Sequence, residues 1–212
     1  MIYIVYAGGP DFLIPHPSEL IKKYGMEIRW IGVDRGAYAL MKENIGMEKA
    51  LGDFDSVNDE ELVELHRYSD NIEHYPADKN ETDLELALKY ANESEPEKII
   101  IVGGTGGRMD HFLMAVHLME KSSAPVWIED HSNRIRVLHQ GEHLFENADF
   151  PYVSFLPCTE KVKKLSLKGF KYNLSNETLY KSSSLCISNE WNGGQASVSF
   201  SEGGLLMIET RD

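Results

Sequence analysis

The sequence predicts an α/β domain built on a doubly wound, mainly parallel sheet, followed by an all-β antiparallel sandwich domain. Two observations predict it. In the first half, short unbroken apolar runs alternate with helical patterns, as expected of strands covered by helices on both faces. After about residue 145 apolar and polar residues alternate with a period of two, as expected of strands with one face in a core. The chain of 212 residues is long enough for two such cores. The expected domains are 1–125 and 126–212.

The elements follow in order. Ile2 to Tyr6 reads as a buried strand ending at Ala7-Gly8-Gly9-Pro10. Ile28 to Val33 is a second, ending at Asp34-Arg35-Gly36, and Lys98 to Val102 a third, ending in a glycine-rich turn. The clearest helix begins at Thr82. There Leu84, Ala87, Leu88 and Ala91 share one face, and Glu85 stands at capping-box spacing from Thr82. A further helix is expected from Asp110 to Lys121, with Phe112, Val116 and Met119 on its apolar stripe. Later, Leu165 and Leu167 alternate with Ser166 and Lys168, and Ala196, Val198 and Phe200 with Ser197, Ser199 and Ser201. Asn192-Gly193 reads as a tight hairpin, and Glu202-Gly203-Gly204 as a turn into Leu205 to Glu209. Val126 to Ile128 and Arg134 to His139 fit either sheet.

Composition narrows the function. A net charge of −13 argues against a nucleic-acid partner, which would meet basic surface. The same acidity suits an enzyme that handles phosphate through cations, and equally suits plain solubility. Cys158 and Cys186 stand in apolar surroundings without metal-binding spacing, so free thiols in a reducing compartment are expected. The apolar N-terminal stretch lacks a basic flank and a cleavage site, and no apolar run approaches a membrane span. The expected protein is cytoplasmic, without a membrane partner.

Residues with chemistry gather at strand ends, where doubly wound sheets bind ligands. Asp53 and Asp55 lie in the turn Gly52-Asp53-Phe54-Asp55-Ser56. Two carboxylates at this spacing repel unless solvated or bridged by a divalent cation. Ser56 can cap a helix near Val57 with Asp59 and Glu60 in its first turn. Asp83 in the first turn of the Thr82 helix is either a dipole-favoured carboxylate or a third metal ligand. Lys79 stands just before it, as a surface cation or a phosphate contact. Gly103-Gly104-Thr105-Gly106-Gly107-Arg108 offers backbone amides and a guanidinium to an anion, but matches neither a P-loop nor a dinucleotide fingerprint. Asp110 and His111 can cap the following helix or bind a ligand. In the second half, Trp191 and Tyr172 are either core aromatics or stacking surfaces for a flat heterocycle.

Taken together, the chain resembles the thiamine pyrophosphokinase (thiamine diphosphokinase) family. The resemblance rests on Asp34-Arg35-Gly36-Ala37, Gly52-Asp53-Phe54-Asp55-Ser56, Lys79-Asn80-Glu81-Thr82-Asp83, Gly106-Gly107-Arg108-Met109-Asp110-His111 and Ser188-Asn189-Glu190, in the family's order. It implies transfer of the pyrophosphoryl group of ATP to the hydroxyl of thiamine, releasing AMP, by a homodimer whose active site is shared between subunits. Asp53, Asp55 and Asp83 are then expected to bind Mg²⁺, with Asp34 a further acidic member. Lys79, Arg108 and the backbone of Gly104, Gly106 and Gly107 become phosphate contacts. Asp34 or Asp110 orients the hydroxyl or accepts its proton, and His111 joins the nucleotide site. Ser188 and Asn189 become part of the thiamine pocket. Tyr172 stands where some members carry tryptophan.

Two other functions remain open on the residues alone. Asp53-x-Asp55 could serve a nucleotide-sugar transferase, although Lys79, Asp83 and the Gly-Gly-Arg turn then have no role. A non-catalytic thiamine or nucleotide sensor could keep the same groups.

Overall fold

The unbroken apolar runs of the first half do form strands, and helices bury both of their faces. The computed structural model describes residues 1–52, 54, 59–69, 71–74, 80–146 and 149–212. The chain divides into two compact units, Met1–His131 and Ser132–Asp212.

Unit 1 runs β1 (Ile2–Tyr6), α1 (Pro17–Tyr24), β2 (Ile28–Val33), α2 (Arg35–Lys42), β3 (Lys49–Gly52), α3 (Asp59–Leu65), β4 (Ile72–His74), α4 (Asp83–Glu93), β5 (Lys98–Val102), α5 (Met109–Lys121) and β6 (Val126–Glu129). Its strands pair in parallel in the order β6-β5-β1-β2-β3-β4. The chain therefore leaves β1 in both directions, through β2 on one side and β5 on the other. That divergence is the switch point of a doubly wound sheet.

Alternation within each strand supplies two cores. Ile4, Tyr6, Ile100 and Val102 join Leu20 of α1, Leu40 of α2 and Leu65 of α3 on one face. Their sequence neighbours Tyr3, Val5, Ile99 and Ile101 are just as buried and point the other way. On that side α4 packs against β1, β2 and β3, and α5 packs against β6. Each fully buried Ile or Val contributes about 1.5–3 kcal/mol.

The boundary between units falls later than the expected 125/126. β6 pairs in parallel with β5 and so belongs to unit 1, while β7 (Asn133–Phe145) pairs with a strand of unit 2. Helix α4 keeps its expected face, with Ala87, Leu88 and Ala91 buried. In α5 the buried stripe is rotated: Ala115, Leu118 and Met119 are buried, whereas Phe112 and Val116 are half-buried.

Unit 2 continues from β7 through β8 (Tyr152–Pro157), β9 (Lys161–Lys168), β10 (Leu174–Tyr180), β11 (Asn189–Glu190) and β12 (Ala196–Thr210), with every pairing antiparallel. Glu202-Gly203-Gly204 is a bulge within β12 and not a turn that ends it: the register against β7 shifts between Phe200 and Gly204. Beside β7, the strand has a different second partner on either side of the bulge. β12 pairs with β9 at Ser197 to Ser199 and with β8 from Leu205 to Thr210. Val198, Leu205 and Met207 thereby join Phe155, Leu165, Leu167 and Phe170 in one core. The expected hairpin at Asn192-Gly193 is corrected too. Gly193 and Gly194 take left-handed φ of 75° and 72°, but the preceding β11 pairs with β8 and not with β12. Among the described residues no helix is long and apolar enough to cross a membrane.

Candidate active site

Three helices of unit 1 begin on one cavity. Its volume is about 1010 Å³, and it lies at the switch point beside Ala7, Gly8 and Gly9 of the loop after β1. Asp34 and Arg35 bring the start of α2, Thr82 and Asp83 the start of α4, and Arg108, Asp110 and His111 the start of α5. Each start carries about half a positive charge from its aligned peptide groups, so their convergence favours an anion. Gly103, Gly104 and Gly107 complete the wall with backbone. Gly106 faces elsewhere, packed where a Cβ would meet Leu13 Cδ1 at 2.2 Å.

The acidic groups sit at those same helix starts. Asp34 holds a left-handed backbone (φ 48°), uncommon for a side-chain-bearing residue, and its N–H donates to Leu51 O at 3.0 Å. Its carboxylate rests against Gly52. A Cβ on Gly52, whose φ is +152°, would stand 1.8 Å from Asp34 Oδ1. The glycine that opens the acidic turn is thus what admits the Asp34 carboxylate. Phe54, also left-handed (φ 51°), anchors that turn in the core at 4% exposure. Asp53, Asp55, Ser56 and Lys79 lie outside the described residues. Asp83 is half-buried in the first turn of α4, whose N-cap Thr82 accepts from Glu85 N at 3.2 Å. Among the described residues no cluster of three metal-ligating side chains occurs. Asp34 and Asp83 line the cavity together, and their hard carboxylate oxygens fit Mg²⁺.

Arg108 is engaged by Asp110 through two bonds, Nε to Oδ1 at 3.1 Å and Nη2 to Oδ2 at 2.6 Å. That guanidinium, seconded by the His111 N–H, lowers the Asp110 carboxyl to about 2 despite the opposing pull of desolvation. A carboxylate so stabilised is a weak proton acceptor.

In unit 2 the predicted pair separates into two roles. Ser188 is exposed with a left-handed backbone (φ 55°), and its N–H donates to Ser154 Oγ at 3.0 Å. Asn189 is buried. Its Nδ2 donates to Tyr172 O at 2.8 Å, and its Oδ1 accepts from Tyr172 N at 2.9 Å and Glu190 N at 3.0 Å. It holds the backbone of Tyr172, whose ring is 58% exposed. Trp191 is half-buried against the core of unit 2, its ring centroid 5.1 Å from Phe170 and 6.4 Å from Phe145.

Among the cavity residues without an assigned role in the sequence are Asn80, Thr105 and Met114. Thr105 sits inside the glycine-rich turn, so its motif was the available signal. Its partner Asp130 follows β6 and has no local signal at all.

Two family models match the chain. Thiamin pyrophosphokinase, catalytic domain, covers residues 23–128, and Thiamin pyrophosphokinase, vitamin B1 binding domain, covers residues 141–205. The thiamine pyrophosphokinase of Bacillus subtilis (strain 168) is 38% identical over 212 residues, spanning 98% of each chain. A crystal structure of thiamine pyrophosphokinase from Bacillus subtilis superposes with a TM-score of 0.89 at 39% identity, covering 100% of this chain and 99% of that one. The thiamin pyrophosphokinase structure from Geobacillus thermodenitrificans gives 0.89 at 38% identity, covering 100% and 98%.

Proposed function

The chain belongs to the thiamin pyrophosphokinase family, and on that premise we propose that it transfers the pyrophosphoryl group of ATP to the hydroxyl of thiamine, giving thiamine diphosphate and AMP. The observation that carries the reading is the convergence of three helix starts, the carboxylates of Asp34 and Asp83, and Arg108 on one cavity at the switch point of the sheet. A polyphosphate with its counter-cation is the ligand that needs both the acids and the positive helix ends.

In the proposed reaction the thiamine oxygen forms a bond to the β-phosphorus. The bond from that phosphorus to the bridging oxygen of AMP breaks, and AMP leaves with the electron pair. Free amides of Gly103, Gly104 and Gly107 hold phosphate oxygens. Arg108 turns from Asp110 towards the phosphates and supplies fixed positive charge. Asp34 or Asp110, the latter once Arg108 has left it, orients the attacking hydroxyl and takes its proton. Asp83, with Asp53 and Asp55, would hold Mg²⁺, which would neutralise charge on the phosphates. The left-handed Asp34 and the close fit against Gly52 support a carboxylate fixed for such work.

The proposal extends to a cytoplasmic homodimer without nucleic-acid or membrane partners. The net charge of −13 supports the exclusion of a nucleic acid. Light scattering on the purified chain checks the dimer: a monomer at working concentration rejects it. AMP formation dependent on both thiamine and Mg²⁺ tests the reaction. ADP as the sole nucleotide product, or turnover without thiamine, would sink it.

A further inference from the structure

We propose that Asp130 is a positioning residue for the nucleotide, acting through Thr105 to fix the amide-bearing turn between Gly103 and Arg108. The inference rests on the proposed nucleotide site. Thr105 lines the cavity from within that turn, and its Oγ1 donates to Asp130 Oδ2 at 2.5 Å. Both residues are buried, Thr105 at 9% exposure and Asp130 at 3%. A carboxylate is costly to bury, and a short charge-assisted bond from a hydroxyl offsets part of that cost.

The turn is held from two sides. Towards β1 the contact is backbone on backbone: Gly103 has φ +80°, and a Cβ there would stand 2.1 Å from Ala7 O. Towards β6 the hold is Thr105 on Asp130. The next residue, His131, is itself fixed, its N–H donating to Leu13 O at 3.0 Å. Gly106 packs under the same Leu13. The turn is thus wedged between the loop after β1 and the end of β6. With so many glycines it has little stiffness of its own.

The direction of the bond assigns the role. The Thr105 hydroxyl proton points at Asp130, so Thr105 cannot also donate it to a phosphate. A carboxylate behind the turn does not attract an anion either. The pair therefore acts by geometry, keeping the turn's N–H groups aimed into the cavity, where preorganised donors bind phosphate without reorganisation.

Thr105→Val removes the hydroxyl at nearly constant shape, Thr105→Ser keeps it, and Asp130→Asn removes the charge-assisted acceptor. A non-hydrolysable ATP analogue with Mg²⁺ is the probe, titrated against each purified full-length variant alongside thiamine. Losing the bond is expected to raise the Kd for the analogue about tenfold in Thr105→Val, and weakening it should give a smaller rise in Asp130→Asn, whose amide oxygen still accepts. Thr105→Ser should stay within about threefold of the parent, and thiamine affinity should be unchanged in all three. Wild-type affinity for the analogue in Thr105→Val overturns the proposal. So does an equal loss in Thr105→Ser, or a parallel loss of thiamine affinity. If one variant fails to fold, the other still decides by the same criterion. The readout is binding, so a wild-type chain that holds the analogue but makes no AMP would sink the reaction and not this inference.

Discussion

The two units use polar motif residues in opposite ways. In unit 1 the motif side chains stand at strand ends around a cavity, and several are exposed or held by strained backbone, as are Arg108, Asp110 and Asp34. In unit 2 the most conspicuous motif residue, Asn189, is 2% exposed and fully occupied with the backbone of Tyr172 and Glu190. One kind of sequence signal therefore marks a cavity lining in one unit and scaffolding in the other. What separates them is where the hydrogen bonds go, and residue type does not report that.

The largest effect expected is in unit 1. Asp83→Asn should lower kcat by about 10²–10³-fold, the scale of losing one preorganised charge at a transferring phosphoryl group. Melting temperature should barely change, because a first-turn carboxylate contributes only about 0.3–1 kcal/mol to its helix. Turnover within twofold of the parent would remove Asp83 from the site.

Gly52→Ala comes next. A methyl at φ +152° would collide with Asp34 Oδ1, so a destabilisation of about 1–3 kcal/mol is expected together with loss of turnover. Denaturant unfolding and a thiamine titration separate the two. Thiamine affinity of unit 2 should survive, and equal loss of both substrates would blur the contrast between units.

Asn189→Ala and Tyr172→Ala break the comparison from the other side. Removing the Asn189 amide leaves buried backbone groups of Tyr172 without partners, at about 1–3 kcal/mol. Tyr172→Ala removes an exposed ring and should stay within about 0.5 kcal/mol in stability. Thiamine affinity should fall in both. A stable Asn189→Ala would return Asn189 to the ligand-contact class.

The smallest effect is local. Asp110 is lowered from 3.8 to about 2, first by its hydrogen bond from Arg108. Its stabilisation is therefore complete above pH 3.8 and lost as pH falls through about 2. Both side chains are exposed, so global stability should hardly register it. In Arg108→Gln the Asp110 carboxyl resonance should titrate nearer 3.8. An unchanged midpoint would mean that the His111 amide and the helix start hold the carboxylate.

Much of unit 1 was legible because its signals are local. Ile2 to Tyr6, Ile28 to Val33 and Lys98 to Val102 are strands with the expected bounds, since β-branched runs that stop at glycine-containing turns favour strands. Asp34, Asp83, Arg108, Asp110 and His111 reached one cavity because strand ends in a parallel sheet share an edge. The unit boundary was not legible. Val126 to Glu129 is apolar enough for either sheet, and only its parallel pairing with β5 decides. The bulge at Gly203 reads as a turn in sequence, because two glycines mark both and only the partner strands tell them apart.

The sequence by itself determined the strands beginning at Ile2, Ile28 and Lys98, the helix that Thr82 caps, the glycine-rich turn and, through the order of its motifs, the family. These depend on neighbours within a few residues, where propensity and spacing act. Only the tertiary structure decided that Asp130 grips Thr105 across 25 positions, that Asn189 holds Tyr172 across 17, and that Glu209 is buried against Arg136 across 73. The reason is physical: a buried polar group must find a partner wherever the fold brings one, and chain spacing carries no record of that choice.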